Sequence, residues 1–118
     1  MAGLIFHMCR KDEWEEARSR GAYAGSSQDR ADGLAGAFIH FSTAEQLPDS
    51  ARKHRAGQPD IVLLAVDPAL LGGALKWEPS RGGALFPHLY GELPVSAVRW
   101  TKDLPLGADG IHILPPLV

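Results

Sequence analysis

The run Asp60–Val66 limits the fold of this chain more than any other feature. Ile61 to Val66 are all apolar and rich in branched side chains, and Pro59 and Pro68 bound the segment. A short continuous apolar run between turn signals reads as a strand covered on both faces, at the centre of a sheet. It is also the longest apolar run, and it falls far short of the ~20 residues that cross a bilayer.

Other elements follow from local signals. Gly3–Met8 carries branched and aromatic residues and reads as the first strand. Asp12 and Glu15 form a loose capping box, Trp14, Ala17 and Arg18 have helical spacing, and Gly21 suits a left-handed terminus. Residues 21–36 hold Gly, Ser, Asp, Gln and Arg with few large apolar side chains, as a long irregular loop would. Ala37–Phe41 reads as a second strand, with Phe38 and His40 on one face and Ile39 and Phe41 on the other. Gln46 stands at the capping-box position relative to Thr43, and Pro48 favours the start of a helix running to about Arg55.

Punctuation then becomes dense. A turn at Leu70–Leu71, a strand at Ala74–Glu78, a flexible loop at Pro79–Gly83 and a compact irregular segment at Phe86–Gly91 are expected. Strands are expected at Val95–Trp100 and Gly110–Leu114. Helices early and strands late indicate an α+β fold, with two helices in the N-terminal half and small mixed or antiparallel sheets. A length of 118 residues suits one domain spanning 1–118, large enough to bury a core.

Composition narrows the function classes. The net charge of -2 argues against a strongly basic nucleic-acid surface. A single cysteine, Cys9, rules out an intrachain disulfide. The start lacks a basic stretch followed by a long apolar core, so a signal peptide is not expected and a cytoplasmic location is.

Five histidines are spread along the chain, at 7, 40, 54, 88 and 112. No His-x-His, His-x-x-x-His or Cys-x-x-Cys spacing occurs, so no metal is expected. Cys9 has only Arg10 and Lys11 nearby to lower its pKa and reads as a buried, inert thiol. Ser42 lacks a nucleophile elbow, and neither a Gly-x-Gly-x-x-Gly nor a Walker sequence is present. His7 and His40 interrupt apolar strands, Glu78 ends one beside Trp77, and Tyr23 and Tyr90 lie in glycine-containing segments. Such a set fits a small-molecule cleft. It also fits hydrogen-bonded core histidines with aromatics plugging the end of the core.

Several segments resemble a small bacterial family, the domain of unknown function 952, some of whose members carry a glutathione-transferase label. They are Ile5–Met8, the set Trp14, Ala17, Gly21 and Tyr23, then Phe38–Ser42 with Gln46, Asp60–Asp67, Leu75–Glu78 and Phe86–Gly91. That family in turn is similar to the ADP-ribosyltransferase fold. The resemblance implies NAD as substrate and a transferase acting on ADP-ribosyl or phosphate groups. His7 would hold a ribose hydroxyl, and Tyr23 or Tyr90 would stack on nicotinamide. Glu78 would stabilise the cation left as the glycosidic bond breaks. The chain departs from that pattern at Cys9, which follows the histidine where Gly or Thr is common, and at His40–Ser42, which replaces a tyrosine motif.

The expected catalytic pair is thus Glu78 and His40. His7, Tyr23, Arg30, Ser42, His88 and Tyr90 are expected to bind a nucleotide-like ligand. His7, His40, Glu78 and His88 should line one concavity, with Tyr23 or Tyr90 at its edge. The loop 21–36 should act as a lid, with Arg30 reaching an anionic group. A non-catalytic module using the same cleft for a ligand or a protein is the alternative.

Overall fold

A computed structural model describes residues 3–25, 38–79 and 83–117. Its first sheet has three antiparallel strands, β1 (Ile5–Arg10), β4 (Ile61–Val66) and β8 (Val98–Leu104), with β4 in the centre. Ile5 lies opposite Val66 and Arg10 opposite Ile61, while Ile61 lies opposite Leu104 on the other side. Every residue of β4 is buried. Val62, Leu64 and Val66 face one apolar cluster with Ile5, Cys9, Trp14, Ala17, Tyr23, Phe41 and Leu89. Ile61, Leu63 and Ala65 face a second with Phe6, Met8, Leu47, Ala51 and Leu104. Period-two alternation on a doubly covered strand thus feeds two cores from one run.

Helix α1 (Lys11–Arg20) follows β1 directly and buries Trp14 and Ala17 in the first cluster. Gly21 terminates it at φ 88°, where its N–H reaches the Ala17 carbonyl. The start differs from the expected capping box: Arg10 holds the N-cap position without a side-chain bond, and Asp12 lies inside the first turn. The short helix α2 (Leu47–His54) covers the second cluster through Leu47 and Ala51. Its approach carries the expected reciprocal pair, in which Thr43 N–H donates to Gln46 Oε1 and Gln46 N–H to Thr43 Oγ1.

A second three-stranded sheet is built from β3 (Ile39–His40), β6 (Leu85–Leu89) and β5 (Leu75–Pro79), with β6 in the middle. A two-stranded ribbon joins β2 (Ala22–Tyr23) to β7 (Leu93–Pro94). The sheets are stitched where Phe6 and Ser42 exchange backbone hydrogen bonds of 2.8 Å each way. The fold is α+β with antiparallel sheets, as the order of elements implied.

Four expectations require correction. Phe86–Gly91 is not irregular: its first four residues lie in β6, where Pro87 keeps its carbonyl for Phe41 N–H at 2.9 Å. The proposed loop 21–36 begins with strand β2, because Tyr23 pairs with Leu93; residues 26–36 of it lie outside the described residues. Val95–Ala97 is a 3₁₀ turn and only Val98 onward is strand. Gly110–Leu114 forms no strand, only a single bridge between Leu106 and His112.

Candidate functional site

The register of the second sheet decides which polar side chains meet. His40 lies opposite His88, His88 opposite Lys76, and Phe86 opposite Glu78. Since side chains alternate, Ile39, Phe41 and Leu89 enter the first core while His40, Phe86, His88 and Glu78 take the other face. Phe38 and Tyr90 complete it. The Phe38 ring stacks on His88 at 4.0 Å, and Tyr90 lies 5.5 Å from Phe38 at a tilt. The His40 ring lies 5.3 Å from Phe86 and 5.2 Å from His88, and His54 meets His40 edge-on at 6.1 Å.

Glu78 is the polar centre. Its Oε1 accepts from the Tyr90 hydroxyl at 2.6 Å and from His88 Nδ1 at 2.8 Å. The Tyr90 hydrogen bond, then the His88 one, hold its carboxyl below the ordinary carboxylate range, so it is ionised at neutral pH. The same contact raises the Tyr90 phenol. An ionised carboxylate can only accept, so Nδ1 carries the His88 proton. The Glu78 side chain is about one-third exposed and that of His88 is 5% exposed. His88 Nε2 is buried and has no hydrogen-bond partner among the described residues. A buried nitrogen of this kind costs about 1–3 kcal/mol when nothing meets it.

His7 is placed elsewhere. It is 4% exposed and points with Ile5 and Cys9 into the first core, beside Tyr23 and Phe41. Its Nδ1 lies 2.6 Å from the His40 carbonyl and its Nε2 2.8 Å from the Tyr23 hydroxyl. A carbonyl only accepts, so Nδ1 donates and Nε2 accepts from Tyr23. His7 is thus a strut between the two sheets, touching the backbone of His40 from behind. Tyr23 is also fully enclosed. The Ser42 hydroxyl is buried and bonds that of Ser50 at 2.7 Å.

The structure therefore gathers His40, Glu78, His88 and Tyr90 on one face and keeps His7, Tyr23 and Ser42 within the core. Arg30 lies outside the described residues. Residues Phe38 and Phe86, which form the apolar wall, were not singled out as site residues from the sequence. The signals that find them are the alternate rings Phe86, His88 and Tyr90, and the alternate pair Phe38 and His40. Cys9 is buried, and burial followed by the charge of Glu13 pushes its pKa to about 12. Among the described residues, no group of three or more His, Cys, Asp or Glu side chains is arranged to hold a metal ion. No helix of the described chain is long and apolar enough to cross a membrane.

The crystal structure of protein CC0527 from Caulobacter crescentus is 48% identical, with 93% of each chain covered and a TM-score of 0.85. The solution NMR structure of CC0527 is 49% identical, with 92% of this chain and 90% of that chain covered, at a TM-score of 0.77. No curated protein matches the chain. The model of a family described as "Protein of unknown function (DUF952)" matches residues 8–101, which include β4 and the whole Glu78 face, and the chain belongs to that family.

Proposed function

We propose that the face formed by Phe38, His40, Glu78, His88 and Tyr90 binds a small, nucleotide-like ligand. One observation carries this reading: Glu78 is ionised with Oε1 fixed by two donors, while Oε2 is left without a hydrogen bond from any described residue, beside the exposed Tyr90 ring and the half-buried Phe38 ring. An oriented carboxylate on an aromatic wall is a binding device more than a core element.

The enzymatic form of the proposal is NAD-dependent transfer on an ADP-ribosyltransferase-like scaffold. Loss of nicotinamide leaves an oxocarbenium-like ribose, and a fixed carboxylate stabilises that charge. Glu78 is the residue suited to this. His40 would border the reacting sugar, and His88 with Tyr90 would hold Glu78 in place. His7, Tyr23 and Ser42 would support the site from the core. A non-catalytic module is favoured by a different observation: both ring nitrogens of His7, the residue expected to grip ribose, are engaged inside the protein.

Ligand-observed NMR with NAD, ADP-ribose and nicotinamide tests the binding reading. Saturation transfer from the Tyr90 and Phe38 rings is expected for at least one of them, and its absence for all three removes the nucleotide assignment. Glu78→Gln separates the two forms. An enzyme should lose nearly all NAD cleavage while keeping affinity within severalfold, since the charge is needed chiefly in the transition state.

A further inference from the structure

The hydrogen-bond inventory around Glu78 is one-sided. Two donors, the Tyr90 hydroxyl and His88 Nδ1–H, are both spent on Oε1. What remains at Glu78 is an acceptor, Oε2, since an ionised carboxylate can only accept. Lys76 shares this face through its place opposite His88 and its charge acts on Glu78. It is exposed, however, and forms no ion pair with Glu78 among the described residues. Beside Oε2 lie Phe38 and the 40% exposed Tyr90, whose ring faces attract positive charge.

We infer that this face selects a cationic, N–H-bearing group, an ammonium or amidinium carried on a small apolar or aromatic body. The inference rests on the reading of the face as a ligand site and adds the charge and hydrogen-bonding class of what it takes. The ligand nitrogen supplies the donor that Oε2 lacks. Oε2 accepts one N–H in a charge-assisted bond, and the aromatic wall takes the apolar body. Lys76 competes weakly for the same carboxylate. A neutral hydroxyl of equal size can donate to Oε2 but without the charge assistance, and an anionic group would be repelled.

The test is a protein-observed NMR titration of the full chain with benzylammonium, benzamidinium and the neutral analogue benzyl alcohol. Both cations should bind about tenfold more tightly than the alcohol, the size of effect that one charge-assisted hydrogen bond supports. Shifts should centre on Phe38, His88 and Tyr90. Glu78→Gln should bring the three probes within about twofold of each other, and Lys76→Gln should strengthen cation binding. Equal affinity of alcohol and amine in the wild type would overturn the cation class while leaving the ligand site standing. A cation preference that survives Glu78→Gln would overturn it too. Failure of every probe to move these resonances at millimolar concentration would remove the ligand site itself. Should Glu78→Gln not fold, acid titration of the wild type carries the same test. The preference must then vanish as Glu78 takes up a proton below the ordinary value of 4.5.

Discussion

Replacing His7 by phenylalanine removes the two hydrogen bonds of its ring. The rings are similar in size, so overpacking and cavity terms stay small. The imidazole bridges the His40 carbonyl at 2.6 Å and the Tyr23 hydroxyl at 2.8 Å, in a site with 4% exposure. Each bond contributes about 0.5–1.5 kcal/mol net, and stripping a partner from a buried group costs about 1–3 kcal/mol. Together these give a loss of about 2–4 kcal/mol. For a domain of this length each kcal/mol lowers the melting temperature by roughly 4 °C, so His7→Phe should melt about 8–16 °C lower. Circular dichroism melts and urea titrations measure this, with an unchanged denaturant slope showing that both states keep their compactness. A double-mutant cycle adds Tyr23→Phe, which should cost less in the His7→Phe background because its partner is already gone. A His7→Phe protein within ~1 kcal/mol of wild type would refute the strut, and additive single and double mutants would refute the Tyr23 half of it.

Two titrations give further checks. Tyr90→Phe deletes the largest influence holding Glu78 down, so a carbon-13 carboxyl titration should show its pKa rising toward 4.5; an overlay with wild type would sink the assignment. The sign for stability follows: in wild type the Glu78 contribution is complete above 4.5 and is lost as pH falls through the lower folded value, and Tyr90→Phe should shrink that acid dependence. Cys9 should resist alkylation at pH 8 until the protein unfolds. Between its ordinary 9.0 and the folded value of about 12 the unfolded thiol loses its proton first, so stability should fall as pH rises through that window. Rapid labelling of folded protein would contradict the burial.

What the sequence revealed was what is encoded locally. Strand β4 needs only an apolar run between two prolines, and α1 ends where Gly21 permits a positive φ. Strand β6 was hidden because Pro87 sits in the middle strand of its sheet, a place where the missing N–H normally forbids a ladder. The sheet tolerates it by using the Pro87 carbonyl toward Phe41. Strands β2 and β7 are two-residue pairings across the chain, and no local pattern announces them. The site divides in the same way. His88 and Tyr90 share a face by simple alternation, but Glu78 and His40 join them only through the register of three strands. His7 looked like a companion of His40, and it is one, but through the backbone of His40 and from the opposite side of the sheet.

The wiring of the sheets also sets a timetable for folding. Among the described residues only β5 and β6 pair as neighbours in sequence. Ile5 waits for Val66, Ile61 for Leu104, Ile39 for Leu89 and Tyr23 for Leu93. Contacts so distant in sequence must meet the entropy of closing long loops before burial offsets it, which places folding on the slow side, in milliseconds or longer. The β5–β6 hairpin can assemble in microseconds, carrying Glu78 and His88 within reach of each other. Half of the polar cluster can therefore exist on a nascent hairpin, and its aromatic wall is finished only when Phe38 and His40 arrive with β3.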